Sequence, residues 1–208
     1  MAPTSREGCM KLFMVGASPY ARKVRAAAIQ LGLDAQLELI IANPHHRPPE
    51  LVAVNPLSKV PTLVDDQGNP HTDSLAICEY LDSLSDRFAL LPSAGAERHR
   101  ALFRHALAHG IMDCAVIRRV ESLKSQEADR DSWMERQKQT TIRITDWFEA
   151  DNDLEGPPTL DRLTLAAALG FLDFRFPDDA WRTGRPRLTA WYEEIAKTPP
   201  LAETQPYD

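Results

Sequence analysis

The first third of the chain alternates between short apolar runs and longer segments with helical periodicity. The run KLFMV (residues 11–15) is apolar and bounded by Gly16, which is typical of a strand. Residues 19–31 repeat apolar positions at helical spacing, and Gly32 is placed to end that helix. The run LELII (residues 37–41) predicts a buried strand, which would complete a β-α-β unit.

Shorter elements follow before the next long helix. A helical piece is predicted around residues 51–54. VPTLVDD (60–66) and GNPHTD (68–73) are strand-like and are joined by a turn signal, so they predict a hairpin. From Asp73 the helical spacing returns. The resulting order, β-α-β-α-β-β-α, is typical of an α/β thioredoxin-like domain.

The pattern changes after DRFALLPSAG (residues 86–95), which has the composition of a linker. The remaining pattern predicts four helices, over residues 96–124, 130–150, 162–174 and 185–197. The third is so apolar that it must be buried on most sides, and the tail from Pro199 is expected to be irregular. We therefore expect a thioredoxin-like domain over residues 10–86 and an all-α domain over residues 95–208.

Charge and composition narrow the function classes. The 208 residues are 43% hydrophobic and 26% charged, with a formal net charge of −6. Such a chain has no electrostatic reason to bind nucleic acid or an anionic membrane. Residues 1–9 lack the apolar core of a signal peptide and predict a loose extension, and no run approaches the ~18 apolar residues of a membrane span.

The three cysteines, Cys9, Cys78 and Cys114, are widely spaced and form no C-x-x-C motif. This pattern disfavours a disulfide framework, a zinc site and a dithiol redox centre. It fits a reducing, cytoplasmic setting without a bound metal.

Pro61 stands at the start of a predicted strand, where it removes a donor from the ladder. A trans proline at an edge strand is the simpler interpretation, because only ~5–6% of X-Pro bonds are cis. A cis Val60–Pro61 bond would instead turn the backbone of Val60 outward, so that its N–H and C=O could pair with an extended ligand.

Two further positions combine capping with possible binding. Asp73 and Ser74 begin a helix and are expected to cap it. The same helix start could bind an amino-acid end group, with Ser74 on the carboxylate and Asp73 on the ammonium. Lys59 could meet a second carboxylate, although a lone lysine in a loop is usually just solvated. Ser18, before Pro19, is likewise an ordinary helix cap from local sequence alone.

Taken together, these positions form a pattern typical of one family. The chain carries S-P-Y-x-x-K-V-R at residues 18–25, N-P-L-x-K-V-P-x-L at 55–63 and D-S-x-A-I-x-E-Y-L at 73–81, followed by an all-helical part. From Met10 onward it resembles the glutathione transferase superfamily, and in particular a bacterial branch of small cytosolic transferases.

The resemblance implies a homodimer that binds glutathione as co-substrate. It implies that Val60 pairs with the cysteinyl part of glutathione beside a cis Pro61, and that Lys59 holds the glycine carboxylate. Asp73 and Ser74 would hold the γ-glutamyl group. Two positions depart from the family pattern: Asp73 replaces the usual Glu or Gln, and Arg162 replaces the last residue of a capping box, so Asp161 is expected to cap instead.

The resemblance also implies that Ser18 is the catalytic serine. A hydroxyl can stabilise the glutathione thiolate by donating a hydrogen bond, so it needs no neighbouring base. The expected reaction is conjugation of that thiolate to a small electrophile, a detoxification chemistry. Glutathione-dependent isomerisation or peroxide reduction, and a non-catalytic binding or regulatory role, remain alternatives.

Three further residues, Tyr20, His109 and Asp113, are candidates for the electrophile pocket. His109 and Asp113 are one turn apart on a predicted helix. A plain hydrogen bond between helices is an equally good interpretation of this pair.

Overall fold

The computed structural model describes residues 9–124 and 129–208. The chain divides into two compact units: the first extends to Leu91 and also includes Glu203–Asp208, and the second comprises Pro92–Ala202. The predicted N-terminal extension, apart from Cys9, lies outside the described residues.

The first unit contains a four-stranded sheet with helices on it. Its elements are β1 (Met10–Met14), α1 (Pro19–Leu31), β2 (Leu37–Ile41), α2 (Pro49–Val54), β3 (Thr62–Val64), β4 (Pro70–Thr72) and α3 (Ser74–Ser83). The sheet order is β2-β1-β3-β4, with β2 parallel to β1 and both other pairs antiparallel. This is the predicted β-α-β-α-β-β-α order and a thioredoxin-like topology.

The central strand β1 has buried side chains on both faces of the sheet, and only its Lys11 is exposed. Leu12 is fully buried, and α1 and α3 pack against each other in the same unit. Phe13 lies on the opposite face, because successive side chains of a strand alternate. There it forms a small core with Ala42 and with Leu51 of α2.

The strand β2 is not the buried strand that its apolar sequence predicts. It lies at the edge of the sheet with β1 as its one neighbour, and Ile41 remains 64% exposed and Leu39 38% exposed. A short apolar run predicts that a strand forms, but it does not predict the position of that strand in the sheet.

The turn between β3 and β4 confirms the predicted hairpin. Asp65 accepts hydrogen bonds from the backbone and side chain of Asn69 and from the backbone of Gln67, and lies 3.2 Å from Nε2 of His71. Burial raises the pKa of Asp65, but these hydrogen bonds outweigh it and bring the pKa down to about 2. The carboxylate therefore stays charged and holds the turn.

The second unit is helical throughout its described part. Its helices are α4 (Gly95–Ser122), α5 (Arg130–Ala150), α6 (Leu160–Arg175), α7 (Pro186–Ile195) and α8 (Pro199–Ala202). Every residue from Leu160 to Leu172 is buried, which confirms the prediction of a central apolar helix. The expectation of an irregular tail from Pro199 is wrong for its first four residues, which form α8. Among the described residues, no helix combines the length and hydropathy that crossing a membrane requires.

The start of α6 differs from the predicted cap. The N-cap residue is Thr159, and no side chain caps the helix. Asp161 instead accepts a hydrogen bond from the Thr159 hydroxyl at 2.7 Å and one from Nε of Arg104 at 2.6 Å. Arg104 also pairs with Asp151. Asp161 thus belongs to a buried ionic cluster that ties α4 to the start of α6.

Candidate functional site

The strand register brings several predicted site segments to one edge of the sheet. Phe13 of β1 pairs with Thr62 of β3, and Thr62 pairs with Thr72 of β4. Beyond this row, β1 continues into the turn that carries Ser18, β3 is entered from Val60, and β4 leads into α3. Because neighbouring strands lie about 4.8 Å apart, these three segments leave the sheet side by side.

Ser18 closes the turn between β1 and α1. Its N–H donates to the carbonyl of Val15 at 3.0 Å, and its side-chain oxygen accepts from the N–H of Ala21 at 3.2 Å. Ser18 is therefore the N-cap of α1, with Pro19 at the first helical position. No hydrogen bond among the described residues uses the proton of its hydroxyl, so Ser18 has a donor to offer.

The start of α1 is electrostatically suited to an anion. The helix has no acidic residue in its first turn, and the N-terminal end of a helix carries partial positive charge. Arg22 and Lys23, which follow the first three residues of α1, are 3% and 0% exposed. The burial of these two cations was not predicted from the sequence, because lysine and arginine side chains are usually solvated.

The segment before β3 has the backbone geometry that the resemblance implies. The Val60–Pro61 peptide bond is cis. In the part of the chain that the structure describes, the N–H and C=O of Val60 take part in no hydrogen bond. Lys59 is exposed, and its carbonyl accepts from the hydroxyl of Thr62 at 2.8 Å.

Asn55 organises this segment, a role that the sequence analysis missed. Its side chain is almost fully buried, and its Nδ2 lies 2.8 Å from Oγ1 of Thr62, 3.0 Å from Oγ1 of Thr72 and 3.2 Å from the Lys59 carbonyl. Its Oδ1 accepts from the N–H of Leu57 at 3.0 Å. The side-chain amide thus joins β3, β4 and the loop that contains Lys59. The Asn-Pro pair that opens the second motif was the feature of the sequence that could have indicated this role.

Asp73 and Ser74 begin α3 in an unusual conformation. Asp73 has φ 70° and ψ 127°, a region that residues other than glycine rarely adopt and that is often found at functional sites. Its Oδ1 accepts from the N–H of Leu75 at 2.8 Å, which confirms the predicted capping. Ser74 is 4% exposed. Asp73 is exposed, and its second carboxylate oxygen is suited to accept a hydrogen bond from an ammonium group.

The three candidates for the electrophile pocket are described within their own units. Tyr20 is half-buried in α1 of the first unit. In the second unit, Nε2 of His109 lies 3.6 Å from Oδ1 of Asp113 on α4, and the His109 ring is 5.5 Å from the ring of His105. Their role stays a prediction.

The buried cysteines are poor nucleophiles. Burial raises the pKa of Cys78 to about 12 and outweighs the opposing effect of Lys23. Burial also raises the pKa of Cys114. Within residues 9–124 and 129–208, no group of three or more His, Cys, Asp or Glu side chains is arranged to hold a metal ion.

A cavity of about 200 Å³ in the second unit contains none of the predicted site residues. Its lining residues are Pro92, Glu97, Arg100, Ala101, Arg104, Asp153, Thr159, Asp161 and Arg162. The carboxylates balance the guanidinium groups, so the cavity has no charge preference that would select an anion.

Comparison with known proteins identifies the family of the chain. Residues 17–84 match the family model of the glutathione S-transferase N-terminal domain. The chain is 30% identical over 201 residues to "Uncharacterized GST-like protein YibF" of Escherichia coli K12, which covers 95% of this chain and 98% of that protein. A maleylacetoacetate isomerase of Pseudomonas aeruginosa PAO1 is 38% identical over 94 residues, 44% of each chain.

Among solved structures, a glutathione transferase family member from Pseudomonas fluorescens Pf-5 with bound glutathione is 36% identical. It superposes with a TM-score of 0.90 over 96% of this chain and 100% of that chain. The similarity extends over the thioredoxin-like unit and the helical unit alike. The chain therefore belongs to the glutathione S-transferase superfamily.

Proposed function

We propose that this protein is a cytoplasmic glutathione transferase that joins the sulfur of glutathione to a small electrophile in detoxification. The observation that carries the proposal is the register of β1, β3 and β4, which brings the turns of Ser18, Val60 and Asp73 to one edge of the sheet. The bound glutathione in the structure from Pseudomonas fluorescens supports the same ligand.

In this proposal the glutathione backbone lies along the sheet edge. Val60 pairs with the cysteinyl residue through its N–H and C=O, as an added strand would, next to the cis Pro61. Asp73 accepts from the γ-glutamyl ammonium while Ser74 donates to the carboxylate. Lys59 pairs with the glycine carboxylate.

Ser18 then stabilises the thiolate. A thiol with a pKa of ~8.5 is only a few per cent ionised at pH 7, and lowering that pKa by ~2 units takes ~2.7 kcal/mol. A hydrogen bond to a charged group contributes ~1.5–3 kcal/mol, and a helix N-terminus contributes ~0.3–2 kcal/mol. The hydroxyl and the start of α1 together suffice without a general base.

The chemical step is a nucleophilic substitution or addition. The thiolate sulfur forms a bond to an electrophilic carbon, and the electron pair leaves with the displaced group or moves onto the acceptor. We propose that the helical domain, with His109 and Asp113, and Tyr20 of the first domain bind the electrophile.

Binding and turnover are tested together on the purified protein. Calorimetry with millimolar glutathione should give saturable binding, and a panel of aryl halides and unsaturated carbonyl compounds should give at least one glutathione thioether by mass spectrometry. Ser18→Ala should bind glutathione almost normally and conjugate it slowly. Absence of glutathione binding to the native protein would sink the proposal.

A second candidate is a glutathione-dependent isomerase. The observation in its favour is the 38% identity to a maleylacetoacetate isomerase, over 94 residues. An isomerase adds the thiolate to a conjugated double bond and later expels it, so glutathione is regenerated. Product analysis separates the two reactions: conjugation consumes glutathione, whereas isomerisation of a cis-unsaturated dicarbonyl does not. Binding without either reaction would support a non-catalytic member.

We also propose that the protein is a homodimer. Two apolar side chains of the first unit, Val52 and Leu57, are 41% and 64% exposed, and Phe103 of the second unit is 53% exposed. Exposed apolar side chains mark a partner-binding surface where they form a contiguous patch, and these residues are the ones to test for such a surface. Sedimentation should give twice the monomer mass, and Leu57→Glu should lower it towards the monomer. A native protein that sediments as a monomer would contradict this proposal.

A further inference from the structure

The last residues of the chain reach the turn that precedes Ser18. Glu203–Asp208 belong to the first unit, and the N–H of Tyr207 donates to the carbonyl of Gly16 at 3.4 Å. A Cβ atom built on Gly16 would lie 2.5 Å from both Cε2 and Cζ of Tyr207. The aromatic ring therefore rests directly on the backbone of Gly16.

This contact takes up the space that a side chain at position 16 would need. Among the described residues, five other glycines have a positive φ, namely Gly32, Gly68, Gly95, Gly156 and Gly184, and Gly16 is not among them. An L-residue could adopt its backbone conformation without strain. A side chain at position 16 would therefore have to displace the tyrosine ring.

The residue under the ring is part of the turn that ends at Ser18. Hydrogen bonding between the N–H of Ser18 and the carbonyl of Val15 closes this turn, with Gly16 as its second residue. Two residues of chain span no more than about 7 Å, so the backbone that the ring contacts lies within that distance of the Cα atom of Ser18. Glycine is the most flexible residue of a turn, and a ring packed on it restricts the turn.

The rest of the tail holds the ring in place. Thr204 is 5% exposed, so the chain is anchored three residues before Tyr207. Tyr207 itself remains 51% exposed. Its contact with Gly16 is made by ring carbons, so phenylalanine could make the same contact.

We propose that Tyr207 is a positioning residue for Ser18: its ring fixes the turn from Val15 to Ser18 and thereby aims the hydroxyl at the glutathione sulfur. This inference rests on the proposed function. The γ-glutamyl contacts at Asp73 and Ser74 come from α3 and do not depend on this turn. Loss of the ring should therefore affect thiolate stabilisation far more than glutathione binding.

The decisive variants are Tyr207→Ala and Tyr207→Phe in the full chain. Tyr207→Ala should lower kcat about 10- to 100-fold, because small errors in the position of a catalytic group have effects of this size. Its pH–rate profile should move to higher pH, while the Kd for glutathione stays within about twofold of the native value. Tyr207→Phe should behave like the native protein. An unchanged pH–rate profile in Tyr207→Ala would overturn the proposal.

Gly16→Ala provides an independent route to the same turn. Its Cβ should displace the ring and reproduce the pH shift of Tyr207→Ala. The double variant should lose no more thermal stability than either single variant, because both substitutions remove the same contact. Gly110→Ala is the matched control: its Cβ would lie 3.6 Å from Cδ1 of Ile144, an ordinary contact, so thermal stability should be unchanged or raised. Fully additive effects of Gly16→Ala and Tyr207→Ala would contradict the proposed contact.

Failure of this inference can be told apart from failure of the proposed function. If the native protein neither binds nor uses glutathione, the proposed function fails, while the additivity test on thermal stability still reports whether ring and turn touch. If the native protein conjugates glutathione and Tyr207→Ala keeps the native pH–rate profile, the positioning role alone is wrong.

Discussion

The helices α1 and α6 each begin at a residue with a hydroxyl side chain, and the two hydroxyls make different hydrogen bonds. Ser18 at the start of α1 and Thr159 at the start of α6 are both N-cap residues with extended backbones. The Thr159 hydroxyl donates its proton to Asp161 at 2.7 Å and accepts from Nη1 of Arg162 at 3.2 Å. The Ser18 oxygen accepts from Ala21 within its own helix.

The difference lies in where the hydroxyl proton goes. At α6 the proton is committed to a buried carboxylate, so the hydroxyl serves the fold. At α1, no described residue accepts it, so the same kind of side chain can cap a helix and also donate to a ligand. Capping and catalysis are therefore compatible for Ser18, because they use different lone pairs and protons of one oxygen.

The largest effect on stability is expected at the α6 start. Asp161→Ala would leave Arg104, whose side chain is 2% exposed, with one of its two carboxylates missing, and removing one partner of a buried ion pair costs about 3–5 kcal/mol. Urea denaturation would measure this loss. The control is Asp153→Ala, since that side chain is 48% exposed and should cost less than about 1 kcal/mol. Equal losses of unfolding free energy in both variants would show that the ionic cluster at the start of α6 does not stabilise the fold.

Asp73, the N-cap residue of α3, extends the comparison to a carboxylate. Asp73→Asn retains the amide oxygen that accepts from Leu75 but removes the charge, so stability should hold. The affinity for glutathione should fall about 10- to 100-fold, since a hydrogen bond to a charged group contributes ~1.5–3 kcal/mol. Calorimetry would measure the change, with Asp66→Asn on the exposed hairpin turn as control. Unchanged affinity would remove Asp73 from the site.

Thr159→Ala should have a smaller effect, because it removes the two hydrogen bonds of one hydroxyl and leaves the ion pair of Arg104 and Asp161 in place. We expect a loss of about 1 kcal/mol in thermal or urea unfolding and no change in the pH–rate profile of conjugation. A shifted profile would mean that the two helix starts are not chemically distinct.

The smallest effect is expected at Cys78, which could replace Ser18 only if its thiol ionised. Its pKa of about 12 lies above the ordinary value of 9.0, so the thiol stays protonated from neutral pH up to pH 8. Iodoacetamide at pH 8 should leave Cys78 unmodified in the native protein and alkylate it after unfolding, as mass spectrometry would show. Rapid native alkylation would reopen a cysteine-based mechanism.

The sequence alone predicted those parts of the molecule that depend on neighbouring residues. The cap at Ser18, the end of α1 at Gly32 and the start of α3 at Asp73 are set by local side-chain chemistry, and all were found where predicted. The hairpin was predicted because its turn signal is also local.

What the sequence could not predict depends on distant partners. The edge position of β2 follows from strand order, which no local pattern encodes. The Arg104–Asp161 pair and the contact of Tyr207 with Gly16 join remote parts of the chain. The role of Asn55 was not predicted for the same reason, since Asn55 follows α2 while its partners Thr62 and Thr72 lie on β3 and β4.

The most direct test of the account is a spectroscopic titration of the glutathione thiol bound to the native protein, to Ser18→Ala and to Thr159→Ala. Ultraviolet absorbance of the thiolate would be followed against pH at saturating glutathione. The account predicts that Ser18→Ala raises the pKa of the bound thiol by about 1–2 units, whereas Thr159→Ala leaves it at the native value. The same pKa in all three proteins would contradict the claim that the Ser18 hydroxyl donates to the thiolate.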